Sequence, residues 1–195
     1  QNYSKVAAMM TYLQHYIGEK KMDIIMQDYF DNWKYGHPQP NDFISFFRKN
    51  LDENIDWFFR NMIDSTTYID YKVFKKNGKY LLENKGTFNA AVEIAYYDRN
   101  DNEVFREWKR PIEKVTILDI PIEYDKVIID PEQYMPDIDR TNNTTKRGLK
   151  TNFIFDKPTY YDFDLNIAPW LFTYNQYNGL APGIFLFSGS GAGFN

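Results

Sequence analysis

The apolar residues of the first 65 positions recur at helical spacing in four short runs. The first run ends at Gly18, where a left-handed residue would close a helix, and "HPQP" at 37–40 stops the second. Asn41 or Asp42 is suited to cap a third helix, and Asn54 a fourth. The pattern therefore predicts a bundle of four helices, or the end of a larger helical domain. Their apolar stripes are Val6, Met9, Met10, Leu13 and Ile17; Met22, Ile25, Met26, Tyr29, Phe30 and Trp33; Phe43, Phe46 and Phe47; and Trp57, Phe58 and Met62.

From about Ser65 to Tyr68 the apolar period changes from helical spacing to alternation. The segment "YIDYKVFKK" alternates and leads into Asn77-Gly78, which is the strongest short-range signal for a hairpin turn. Further short strands follow at the spacing that is typical of a β-sandwich, as far as "DKVIIDP" at 125–131. We therefore expect an α+β fold: a helical bundle, then an antiparallel β-sandwich and a short β region rich in aromatic residues and glycine.

These changes of pattern predict four regions along the chain. Residues 1–66 are the helical part and residues 67–134 are the β-sandwich. The polar, turn-rich stretch within 135–157 is interpreted as a linker or long loop. Residues 158–195, with alternating aromatics and a glycine-rich end, resemble the start of an additional, barrel-like β region.

Composition narrows the classes of function. The chain is 43% hydrophobic and 18% aromatic, which excludes general disorder. Its 27 acidic and 23 basic residues give a net charge of −4, without an extended basic run, so nucleic-acid binding has little support. The absence of Cys excludes disulfides and thiolate zinc sites. No apolar run is long enough for a transmembrane helix.

Few residues in the chain suggest catalytic chemistry of their own. The two histidines, His15 and His37, do not lie in an H-E-x-x-H motif. His15 and Glu19 are four residues apart and can share a helix face, but two ligands without a third do not make a zinc site. The carboxylates of "DPEQYMPDID" lack the spacing of a calcium loop. We therefore expect no metal site within this chain.

The order of several short motifs resembles a known peptidase family. Taken together, residues 3–59 resemble the closing part of the catalytic domain in zinc aminopeptidases of the aminopeptidase N type, the gluzincins. The stretch "VIIDPEQYMPDIDRTNN" is similar to part of the sandwich that follows this domain in bacterial relatives. The resemblance of the helical part rests on Tyr3 and Lys5, Ile17-Gly18, Trp33, His37 to Phe43, and Trp57 to Phe59.

The resemblance implies a role for one residue. Tyr3 corresponds to the tyrosine that assists zinc by donating a hydrogen bond to the oxyanion formed from the peptide carbonyl. Zinc is then the cofactor of the parent protein, but its histidine and glutamate ligands and the general base belong upstream of Tyr3. This chain would bind no zinc and would be inactive alone. Its expected partners are the upstream catalytic domain and, through the parent, a peptide substrate; the expected location is the periplasm or cell envelope.

Other interpretations of the sequence stay open. Without its flanking motif, Tyr3 would be one helix-start aromatic among sixteen tyrosines. The chain could also be a non-catalytic module of a cell-envelope protein, in which the sandwich and exposed aromatics bind peptide, glycan or a partner protein. An outer-membrane barrel component is a further alternative, and it rests on residues 158–195 alone.

Overall fold

The computed structural model describes residues 2–63, 66–153, 156, 162–177 and 179–188. Within these residues four helices precede nine strands, which confirms the predicted α+β class. The helices are α1 (Asn2–Ile17), α2 (Glu19–Trp33), α3 (Pro40–Asn50) and α4 (Asp56–Ile63). The strands are β1 (Tyr71–Lys76), β2 (Lys79–Asn84), β3 (Val92–Tyr97), β4 (Glu103–Lys109), β5 (Val115–Leu118), β6 (Lys126–Ile129), β7 (Leu149–Phe153), β8 (Phe163–Asn175) and β9 (Gly179–Ser188).

The helix boundaries follow the local chemistry with one correction. Gly18 separates α1 from α2 at a φ of 91°, a conformation that favours glycine. The cap of α3 is Gln39, and not Asn41 or Asp42 as the sequence predicts, because the fixed φ of Pro40 lets the helix start earlier. Asp42 still contributes, since its carboxylate accepts a hydrogen bond from the Gln39 backbone N–H at 2.8 Å. At the start of α4, Asn54 Oδ1 accepts from the backbone N–H of Asp56 at 2.8 Å.

Two antiparallel sheets form the sandwich, with strand orders β1-β2-β5 and β4-β3-β6. The predicted hairpin is present: Lys76 lies opposite Lys79, and Asn77 and Gly78 between them have φ of 51° and 79°. Two positive φ values are what a tight type I′ turn requires. A third sheet has the order β7-β8-β9, with β7 parallel to β8 and β9 antiparallel to it.

One hydrophobic core joins the helices to both sheets of the sandwich. Strand β3 is buried on both faces, because Ile94 lies on the face toward the other sheet while Glu93 lies on the face toward α1. The apolar helix stripes are only partly covered. Val6, Met26 and Phe30 belong to the predicted stripes but are 48%, 39% and 65% exposed.

The polar stretch assigned to a linker or long loop packs against the sandwich over residues 135–148. Isolated bridges tie Asp137 to Ile69 and Thr144 to Ile128, and a short 3-10 helix spans Arg140–Asn142. Asn143 is fully buried. Parts of the predicted regions lie outside the described residues, namely residue 1, residues 64–65 at the first boundary, 154–155 and 157–161 after the polar stretch, residue 178, and the glycine-rich end at 189–195.

In the part of the chain that the structure describes, no helix combines the length and apolar character that crossing a bilayer requires.

Candidate functional site

The residue that the sequence singles out, Tyr3, lies in the first turn of α1. Its side chain is outside the described part of the structure. Position 3 precedes Tyr12 by nine residues, so at about 100° per residue the two positions lie on opposite sides of the helix. Because the Tyr12 side of α1 meets the sandwich, position 3 lies on the side away from it.

Tyr12 anchors α1 on the sandwich. Its side chain is 1% exposed, and its hydroxyl donates a hydrogen bond to the backbone carbonyl of Ala91, just before β3. The ring packs against Trp57 of α4 and Trp108 of β4, with centroids 6.2 Å away in both cases. Burial raises the pKa of the Tyr12 phenol well above its ordinary value, so this hydroxyl stays a hydrogen-bond donor.

One turn further along α1, His15 makes a polar contact with the same sheet. Its Nε2 lies 2.9 Å from Oε2 of Glu93, whose side chain is only 6% exposed. Arg106 on β4 approaches the same Glu93 oxygen at 3.5 Å. Arg106 also pairs with Glu103 at 2.7 Å and with Glu132 at 3.2 Å. The hydrogen bonds to Glu103, together with the charge of Glu93, raise the pKa of the Arg106 guanidinium, which therefore keeps its charge beside the buried carboxylate.

The loop after β6 closes over this contact. The ring of Tyr134 stacks on the His15 ring with centroids 4.3 Å apart. The loop is shaped by Asp130, whose carboxylate accepts the backbone N–H groups of Tyr134 at 3.0 Å and Met135 at 2.9 Å. Arg140 Nη1 lies 3.2 Å from the same carboxylate. Burial raises the pKa of Asp130 to about 7, although Arg140 and the two N–H groups oppose the shift.

The polar stretch beyond this loop uses its side chains to hold its own backbone. Asp137 accepts the N–H of Tyr71 at 2.9 Å and that of Asp139 at 2.8 Å. Burial raises the pKa of Asp137 to about 6. Asn142 donates to both Asp70 and Asp139 at 3.0 Å. The carboxylates of Asp137 and Asp139 therefore serve as hydrogen-bond acceptors for N–H groups of the same part of the chain.

A shallow cavity of about 280 Å³ opens beside His15, between α1, the start of α2 and the Tyr134 loop. Its lining residues are Thr11, Gln14, His15, Gly18, Glu19 and Tyr134. Within the described residues, no group of three or more His, Asp or Glu side chains is arranged to hold a metal ion. The described residues therefore do not fit a zinc site.

The structure places the two histidines in different surroundings. His15 finds its close carboxylate partner in Glu93, and not in Glu19, because the sandwich approaches α1 from the side of the helix that carries His15. His37 lies exposed in the segment before α3. Sequence reasoning missed Glu93 and Arg106. The only signal for Glu93 is a single acidic residue inside an otherwise apolar strand, "AAVEIAYY".

The helical part matches a known protein family. Residues 1–62 match the family model described as the Peptidase family M1 domain. The match covers α1 to α3 and all of α4 except its last residue, and leaves the sandwich and the third sheet unmatched, so it extends over 62 of the 195 residues. Peptidases of this family are zinc enzymes in general. A comparison with curated proteins gives no match. The helical part is thus similar to a stretch of an M1 peptidase domain, which agrees with the resemblance at the coarser level of the family.

Proposed function

We propose that this chain is the C-terminal portion of a zinc-dependent, aminopeptidase-like metallopeptidase of the aminopeptidase N type, a parent protein that removes N-terminal residues from peptides. The observation that carries the proposal is the M1 peptidase match over residues 1–62, because it coincides with α1 to α4 and includes Tyr3. The proposed division of labour is that the helices complete the substrate cleft of the parent and the sandwich braces them.

Tyr3 is the proposed catalytic residue of this portion. A phenol with an ordinary pKa near 10 is protonated at neutral pH and donates a hydrogen bond. Directed at the scissile carbonyl, that bond stabilises the negative charge that develops on the oxygen during attack by water. The place of position 3 on α1 supports this role, since it lies on the side of the helix away from the sandwich.

The zinc ligands and the general base are proposed to come from a preceding part of the parent. Two observations support this: the sequence has no H-E-x-x-H motif, and the described residues do not fit a zinc site. The sandwich would then provide no zinc ligand and would be a structural partner of the catalytic domain. We place the parent in the periplasm or cell envelope, on the resemblance to exported bacterial relatives alone.

The proposal is tested with the full-length parent on two matched substrates. One is an aminoacyl anilide with a free amino group, and the other is its N-acetylated form. We expect hydrolysis of the first substrate only, loss of that activity with a chelator, and recovery when zinc is added back. The 195-residue chain at the same concentration should hydrolyse neither substrate. Equal hydrolysis of the acetylated substrate, or activity that survives the chelator, would contradict the proposal.

A second candidate function has one observation in its favour. Strand β9 exposes four consecutive apolar side chains, and these belong to the third sheet, outside the M1 match. Such a surface suits a non-catalytic binding module of a cell-envelope protein. The two functions separate in the parent, because a binding module would show no hydrolysis of either substrate. The four residues are Ile184, Phe185, Leu186 and Phe187.

A further inference from the structure

The contact between α1 and β3 contains a buried acidic group that packing alone does not require. Glu93 is 6% exposed and lies on the face of the sheet that meets the helix. Its partner His15 lies among aromatic rings, with ring centroids 5.6 Å from Trp108 and 4.3 Å from Tyr134. A hydrogen-bonded polar contact in such a place is often no more stabilising than apolar side chains of the same size. What such a contact does supply is a single preferred geometry, because its hydrogen bonds are lost when the partners move.

Arg106 also fixes the position of the Glu93 carboxylate. Arg106 reaches the same Glu93 oxygen and is itself fixed by Glu103 and Glu132. Glu132 and Tyr134 belong to the loop after β6, which Asp130 shapes. The imidazole of His15 is therefore confined on the sheet side by Glu93 and on the loop side by Tyr134.

These contacts fix two degrees of freedom of α1. Tyr12 and His15 are three residues apart, so they bind the sheet from adjacent positions on one side of the helix. Together they oppose rotation of α1 about its axis and sliding along it. Tyr3 lies twelve residues before His15 on the same continuous helix, about 18 Å along the axis. A rotation at His15 is therefore passed to position 3.

We propose that His15 and Glu93 are positioning residues for Tyr3, and that they set the rotation of α1 by which Tyr3 is presented to the cleft of the parent. This inference rests on the proposed function. It assigns the sandwich a defined part in the reaction: β3 supplies the carboxylate that holds the helix carrying the catalytic phenol.

The first test uses the 195-residue chain itself and measures amide hydrogen exchange. Glu93→Gln keeps the shape of the side chain and removes its charge. We expect the amides of α1 to exchange about tenfold faster, while those of β1 and β2 keep their wild-type rates. The control is Glu123→Gln, which removes the same charge from an ion pair with Arg99 that is 80% and 86% exposed, and it should change neither set. Unchanged exchange in α1, or equal acceleration in β1 and β2, would overturn the inference.

The second test is a double-mutant cycle in the full-length parent. Glu93→Gln alone should lower kcat about tenfold with KM within about twofold, because a displaced phenol affects the transition state more than substrate binding. In the Tyr3→Phe background, the same substitution should lower kcat by less than about twofold, since Tyr3 no longer has a hydroxyl to position. Equal losses in the two backgrounds would show that Glu93 acts on general stability, and would overturn the inference.

The cycle separates this inference from the proposed function. If Tyr3→Phe alone leaves kcat unchanged, the proposed role of Tyr3 fails, and the positioning role fails with it. If Tyr3→Phe is deleterious and Glu93→Gln is neutral, only the positioning role fails. Should Glu93→Gln not fold, His15→Gln provides the same cycle, because it leaves Glu93 paired with Arg106.

Discussion

The hydroxyl of Tyr12 is predicted to contribute about 2 kcal/mol to the stability of the whole chain. Tyr12→Phe removes one oxygen and leaves the ring among Trp57, Phe58 and Trp108. The carbonyl of Ala91, which is itself buried, loses the hydrogen bond from that hydroxyl. A buried acceptor that loses its partner costs about 1–3 kcal/mol, and the ring contacts contribute no difference.

Urea unfolding followed by circular dichroism and by tryptophan fluorescence measures this cost. With an m value of about 2 kcal/mol/M, the midpoint should fall by about 1 M. Both signals should move together, since the helices and the sandwich share one core. Tyr35→Phe is the matched control, because its side chain is 92% exposed, and it should stay within about 0.5 kcal/mol. Equal midpoints for the two variants would refute the account of how α1 is anchored.

Further predictions concern the pH and two glycines. Burial raises the pKa of Asp130 to about 7 and that of Asp137 to about 6, so the native state holds protons that the unfolded state releases near pH 4. The free energy of unfolding should therefore fall between about pH 4 and pH 7, by about 4 kcal/mol for the full shift of Asp130, and a rise across this range in thermal unfolding would contradict the assignment. Gly86→Ala should destabilise by more than about 2 kcal/mol, because its Cβ would lie 2.6 Å from the carbonyl oxygen of Tyr68. Gly78→Ala, at a φ of 79° with open space around it, should cost about 1 kcal/mol, and the opposite order of the two glycines in urea unfolding would count against the structure.

The parts of the fold that the sequence predicts are those decided by neighbouring residues. The Asn77-Gly78 turn sets the register of β1 and β2 because both residues adopt positive φ without strain. Gly18 marks a helix boundary for the same reason, and Pro40 marks one because its fixed φ suits the first position of a helix. The predicted cap of α3 was wrong by two or three positions. Gln39, Asn41 and Asp42 can each cap a helix, and which of them does so depends on the residue at which the chain enters the helix.

The contacts around the candidate site could not be predicted, because they join distant parts of the chain. His15 and Glu93 are 78 residues apart, and their pairing depends on how α1 docks on β3. The polar residues between 135 and 148 have the composition of a solvated loop, but composition does not show whether a carboxylate such as that of Asp137 meets water or a backbone N–H. The exposure of Phe30 could not be predicted either. The spacing of apolar residues indicates which side of a helix is apolar, but it does not show how much of that side other elements cover.

The turnover number of the full-length parent with Tyr3 replaced by phenylalanine shows whether this residue takes part in catalysis. Tyr35→Phe serves as the control, since it removes the same hydroxyl from an exposed position of the helical part. Loss of a hydrogen-bond donor to a developing oxyanion typically lowers kcat by about 10²–10³-fold. We expect a loss of this size for Tyr3→Phe and wild-type turnover for Tyr35→Phe. Turnover of Tyr3→Phe within about twofold of wild type would contradict the claim that this chain carries a catalytic residue of a peptidase.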